Sequence, residues 1–198
     1  MSGTHTPWGA ADQARKLAPG IMQYQTPSHG GIHLSPSRQA KMPPALQRSG
    51  GWYEEDCEWA LAAFVFPDAF DPDVAAQADQ TVRDWYPDDY TAATGVTLTA
   101  ATSQTLRERE AHVQYHDQYV TVAAWGDWHR NVPAGMVGVC AVRGGRNEAG
   151  RYASTDEKYF LVPSAEYDAP RAVPIGFPID EGRHTSWAGP DRQEGERP

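Results

Sequence analysis

The spacing of apolar and polar positions changes twice along the chain. Trp8 to Leu17 has helical character and is closed by Pro19-Gly20. Ile21 to Gln25 and Ile32 to Leu34 read as two short strands. Between them lies Thr26-Pro27-Ser28-His29-Gly30-Gly31, turn chemistry in which proline fixes φ and glycine permits a positive one. These residues predict a small hairpin. Ser35-Pro36 pairs an N-cap residue with proline at the first helical position, so a short helix begins there and is interrupted at Pro43-Pro44.

After Gly50-Gly51 the reading is helical from Tyr53 to Phe66, stopped by Pro67. Glu54, Glu55 and Asp56 suit the positive end of that helix dipole. Asp71-Pro72 repeats the cap-plus-proline signal, and Val74, Ala78, Val82 and Trp85 then fall on one helical face. A further helix is expected from near Ser103 to about His116. Beyond it the period shortens. Tyr119–Trp125 and Met136–Val142 are β-branched and aromatic runs that predict an antiparallel pair, with Lys158–Val162 as a third strand. Phe177–Ile179 is a proline-interrupted edge candidate. The order predicts an α+β fold: a short N-terminal hairpin, central helices and a C-terminal antiparallel β-meander. No internal repeat is seen. At 198 residues the chain suits one domain, expected over 8–188, with a loose start at 1–7 and a frayed polar tail at 189–198.

Composition narrows the function classes. The net charge is −9, and residues 51–90 hold eleven carboxylates, Glu54 to Asp89, against Arg83 alone. No large basic face is available to release counterions from phosphates, which excludes a polyelectrolyte nucleic-acid binder. No apolar run is long enough to cross a bilayer, and the first seven residues lack the basic and apolar regions of a secretion signal. The expected location is the cytoplasm, without membrane contact. Cys57 and Cys140 are too few for a disulfide framework or a four-cysteine zinc site.

The densest chemical signal is a pair of strings. One is Thr26-Pro27-Ser28-His29-Gly30-Gly31 with Leu34-Ser35; the other is Gly50-Gly51-Trp52-Tyr53-Glu54-Glu55-Asp56-Cys57 with Trp59-Ala60. In them the chain resembles an uncharacterised family of domains carried by phages and plasmids. Trp125-Gly126-Asp127-Trp128, Val132 to Val139 and Tyr159 to Pro163 are similar to later segments of that family. The resemblance implies a mobile-element accessory protein, suggests an anti-defence context, and brings no chemistry with it.

The residues themselves offer two kinds of site. Cys57, in the first turn of the expected helix, and His29, beside a strand, could form a thiol nucleophile and its base. A histidine that precedes the cysteine also resembles the permuted branch of papain-like enzymes. Against this, only 28 positions separate the two, no third polar partner stands out, and four carboxylates at 54, 55, 56 and 58 raise a thiol pKa. The plainer reading is a buried cysteine beside Trp59 and Leu61. Ser28 and Tyr53 are placed to hydrogen-bond the His29 ring, with Gly30, Gly31, Gly50 and Gly51 shaping the turns and Trp52 and Trp59 anchoring them.

Glu54, Glu55 and Asp56 with His29 could alternatively approach a divalent ion. Consecutive carboxylates on a helix diverge by about 100°, so a helix end with one ion pair to Arg38 or Arg48 is the simpler account, and no metal or cofactor is called for. His112 and His116 are spaced for one helical face but lack the glutamate of a zinc-protease motif. His129 sits among tryptophans, and Arg143-Gly144-Gly145-Arg146 reads as a basic turn. The favoured function is therefore binding of a host or defence component with a basic surface through the acidic window. The alternative is a small thiol-dependent hydrolase or transferase using Cys57 and His29. Whether the protein is an enzyme, and its oligomeric state, stay open at this level.

Overall fold

The computed structural model describes residues 4–170 and 173–190. The chain divides into two compact units, Met1–Leu106 and Arg107–Pro198.

The first unit is built on an antiparallel sheet of four strands in the order β3-β4-β5-β6. A two-stranded ribbon of β1 (His5–Thr6) and β2 (Gly9–Ala10) precedes it. The sheet strands are β3 (Gln13–Ala18), β4 (Ile21–Gln25), β5 (Gly30–Leu34) and β6 (Trp52–Glu54). The helix expected over Trp8–Leu17 is thus replaced by β2 and β3. Gly9 adopts φ 121°, outside helical space, and pairing of Gln13–Ala18 with β4 overrides the helix preference of its Gln, Arg, Lys, Leu and Ala. The hairpin of β4 and β5 forms as expected, in the register Ile21↔Leu34 to Gln25↔Gly30.

One sheet face carries Ile21, Ile32, Leu34 and Tyr53, all buried against helices. After α1 (Pro36–Gln39), capped by the Ser35 hydroxyl, the chain returns through two 3-10 turns, Pro44–Leu46 and Ser49–Gly51, to β6. The long helix expected from Tyr53 is shorter: α2 spans Trp59–Val65. Tyr53 instead pairs with Ile32 on a strand, because that alternation sends its ring into the core. The wholly buried Ala60, Ala62 and Ala63 let α2 approach the sheet closely. α3 (Pro72–Trp85), α4 (Pro87–Thr94) and the start of α5 (Gln104–Gln114) complete the unit. Ala78, Val82 and Tyr90 join the same core.

The second unit holds the meander β7 (Tyr119–Trp125), β8 (Met136–Arg143) and β9 (Glu157–Pro163), extended by β10 (Thr185–Ser186) in the order β10-β9-β8-β7. A short helix, α6 (Ser164–Tyr167), follows β9. Tyr119, Val137, Val139, Ala141, Phe160 and Val162 form its core with Phe177 and Ile179. The expected edge strand at Phe177–Ile179 is reduced to an isolated Val120↔Pro178 bridge, since Pro178 has no N–H to extend a ladder. The molecule is α+β. Residues 191–198 of the expected polar tail lie outside the described residues.

Candidate functional site

The two strings of the sequence meet at the β4–β5 turn. Thr26 closes the turn on His29: its N–H and hydroxyl both donate to the His29 carbonyl, at 2.7 and 2.8 Å, and its Oγ1 accepts the His29 N–H at 3.1 Å. Ser28 and His29 are left exposed. Gly30 and Gly31 act as strand residues under close neighbours and do not shape the turn. A Cβ on Gly30 would lie 2.6 Å from Glu55 Oε2, and one on Gly31 would lie 2.3 Å from both Trp8 Cη2 and the Tyr53 carbonyl oxygen. Gly50 and Gly51 do take the left-handed backbone, with φ 64° and 74°.

Residues 55–58 form a tight turn between β6 and α2. The Glu54 carboxylate accepts the Asp56 N–H at 2.7 Å through Oε2, while Oε1 stands 3.8 Å from His29 Nδ1. Glu55 donates its N–H to the Gly30 carbonyl at 3.1 Å. Glu58 accepts the Glu54 N–H at 3.2 Å and the Arg48 Nε–H at 2.9 Å. Arg48 also donates to Asp89 at 3.0 Å and lies over the Tyr86 ring, 5.0 Å from its centroid. Burial, followed by the charges of Glu58 and Cys57, pushes the Tyr86 hydroxyl up to about 12.

Cys57 sits in this turn, partly buried, before α2 begins. Burial pushes its thiol up, and Asp56, Glu54 and Glu58 push it further, each disfavouring the thiolate. Among the described residues no hydrogen bond or ion pair joins Cys57 to His29, whose ring faces Glu54. Tyr53, placed by sequence beside His29, is fully buried, and its hydroxyl donates to Gln39 Oε1 at 2.8 Å. Trp52 packs on the outer sheet face with Trp8, Tyr24 and His33, at 5.7, 5.4 and 4.2 Å between ring centroids. Burial lowers the His33 pKa.

His29, Glu54 and Glu55 bring one donor atom each to within 4.8 Å of one another. A nitrogen and two carboxylate oxygens could hold a borderline or hard divalent ion; Asp56 is not in this group. His116, His129 and the basic turn are otherwise engaged. His116 lies beyond the end of α5, its Nδ1 near the Val113 carbonyl and its Nε2 2.9 Å from Asp117, so it shares no helical face with His112. His129 Nδ1 accepts the Asn131 N–H, and its ring packs edge-on to Trp187. Arg143 pairs with Asp156, and Arg146 donates to the carbonyls of Gly150 and Val122.

Nine of the eleven carboxylates of the acidic window fall into two groups. Glu58, Asp79, Asp84 and Asp89 accept hydrogen bonds within the unit: Glu58 and Asp89 from Arg48, Asp79 from Arg83 and Tyr90, and Asp84 from Gln80 and the Gln104 N–H. Glu55, Asp56, Asp68, Asp71 and Asp73 are exposed and have no lysine or arginine partner among the described residues. Sequence reasoning placed one ion pair at Arg38 or Arg48 but missed that Arg48 bridges two carboxylates, and it missed Trp8 above Gly31. No local spacing signals either contact.

This arrangement defines the first unit as a small α+β fold in which the two sequence strings lie side by side along the paired strands β5 and β6 and the turns at their ends. The family described as a domain of unknown function (DUF7007) matches residues 1–116, and the chain belongs to it. No curated protein and no solved structure matches the chain. Among the described residues no helix is long and apolar enough to cross a membrane.

Proposed function

We propose that the protein is a phage- or plasmid-borne accessory protein that acts in the cytoplasm by binding. Its exposed acidic face meets a basic surface of a host or defence component. One observation supports this reading above the others: Glu55, Asp56 and Asp73 project carboxylates with no lysine or arginine partner among the described residues, while neighbouring acids are consumed internally. Unpaired exposed charge of one sign steers a complementary partner and sets its salt dependence. The thiol-dependent alternative draws no support from the turn, where the surroundings of Cys57 oppose a thiolate.

The test compares wild type with Glu55→Gln/Asp56→Asn/Asp73→Asn in affinity capture from a bacterial lysate, at about 50 mM and about 500 mM salt. Wild type is expected to retain basic proteins at low salt and release them at high salt, and the triple variant to lose them at both. Identical retention by the two proteins overturns the reading.

A further inference from the structure

A cleft of about 340 Å³ opens in the first unit beneath the β3 edge of the sheet. Leu17, Ile32, Trp59, Phe70 and Val74 make the apolar part of its lining, beside Gln23 of β4. Ile32 belongs to the core, and Leu17, Trp59 and Phe70 are only partly covered by it. The volume lies at the small end of ligand pockets, which run from about 300 to 1,000 Å³. Strand β3 contributes Arg15, which pairs with Gln23 on the face that carries Ile32, and the segment between α2 and α3 contributes Asp68 and Asp71; Lys16 pairs with Met22 and directs its ammonium to the opposite face.

These charges do not satisfy one another: among the described residues no ion pair links Arg15 to either acid. Arg15 is steadied through Nε, which donates to Gln23 Oε1 at 3.2 Å, so both of its terminal amino groups stay available. Asp71 occupies the N-cap position of α3 yet makes no side-chain capping bond. A guanidinium from one element and carboxylates from another thus border one cleft with their capacity unspent.

We infer that this cleft binds a small amphipathic zwitterion, of the class of free α-amino acids with a large apolar side chain. The ligand carboxylate faces Arg15, its ammonium faces Asp68 and Asp71, and its side chain covers Trp59 and Phe70. A ligand of one charge sign leaves half of the rim unanswered, and a blocked peptide unit leaves both halves so. Asp68 and Asp71 belong to the same exposed group of acids, but the variant that tests the acidic-face reading, at Glu55, Asp56 and Asp73, leaves both in place, so the two readings fail separately.

Titration of the full chain with L-phenylalanine, L-tryptophan, L-leucine and L-methionine, followed by amide NMR shifts, tests it. At least one is expected to shift residues of the cleft. The matching amine without carboxylate and acid without ammonium are each expected to bind about tenfold more weakly. Asp68→Asn/Asp71→Asn weakens the amino acid and the amine while sparing the acid; Arg15→Gln weakens the amino acid and the acid while sparing the amine. Both variants alter exposed side chains, and unchanged amide spectra outside the cleft check their fold. Absence of shifts with all four amino acids overturns the inference. So does equal binding of N-acetyl-phenylalanine amide, which would mark a neutral peptide groove.

Discussion

The indole of Trp8 occupies the space that a side chain at position 31 would need, with Cη2 2.3 Å from the Cβ that Gly31 lacks. The Tyr53 carbonyl oxygen stands equally near on the strand beside it. A flexible neighbour could rotate away, whereas a carbonyl fixed in the β5–β6 ladder cannot. Gly31→Ala is therefore expected to lower stability by about 1–3 kcal/mol, the usual cost of overpacking. Trp8→Ala in the same chain leaves most of that loss in place, because the carbonyl remains. Urea unfolding of the single and double variants checks both statements, and a neutral Gly31→Ala would refute the close approach.

Arg48 holds the acidic turn to the helical layer. It reaches Glu58 and Asp89, which are 31 residues apart in sequence, and covers the Tyr86 ring. The three side chains are half-buried, so Arg48→Met should cost roughly 1–3 kcal/mol, between an exposed pair and a buried one. Lysine cannot present two separated donors in a planar fork, so Arg48→Lys is expected to recover less than half of the loss. Thermal melting of the two variants gives the comparison.

The residues that were legible from sequence are those whose neighbours are local. Ile21 to Leu34 alternates around a proline–glycine turn, and Asp71-Pro72 announces α3, so both elements follow from nearest-neighbour rules. Gln13–Ala18 failed because it is an edge strand exposed over most of its length, with no buried face to impose a two-residue period. Tyr53 to Cys57 failed because consecutive acids suit a helix start, while the pairing of Tyr53 with Ile32 decides the conformation. The two strings marked where the candidate site lies, but not its contacts. Trp8 over Gly31 and Arg48 to Asp89 join residues far apart in the chain, and no pattern within either segment encodes the other.

Thiol reactivity separates a binding protein from a thiol-dependent enzyme. Burial and the carboxylates of Asp56, Glu54 and Glu58 all raise the Cys57 pKa, so its thiolate appears only above the usual thiol range of about 8.5. Cys140 is buried, and its thiol is pushed up to about 12 by burial and by Glu157. Iodoacetamide is therefore expected to label native protein slowly at neutral pH, at Cys57 alone, with a rate that climbs steeply at alkaline pH. Asp56→Asn shifts that climb modestly toward lower pH, since burial is the larger cause and stays. Faster labelling of Cys57 at pH 7 than of a free cysteine peptide would restore the thiol-enzyme reading.

In the second unit, Asp156 Oδ2 accepts the Tyr119 hydroxyl at 2.7 Å and the Arg143 Nε–H at 2.8 Å. Arg143 and Lys158 lie over the same tyrosine ring, 4.8 and 4.5 Å from its centroid. The Arg143 hydrogen bond, then that of Tyr119, holds the Asp156 carboxyl below its ordinary range. A carboxylate whose folded pKa is depressed binds fewer protons folded than unfolded near that value, so it stabilises the fold above the unfolded pKa of about 3.9. That contribution disappears as pH falls through the depressed folded value. Asp156→Asn should therefore melt below wild type by a constant margin from neutral pH to about pH 5, and the margin should close in more acid solution. Melting curves collected across that range decide it. A margin that persists unchanged below about pH 2 would mean that Asp156 acts through shape and hydrogen bonding alone.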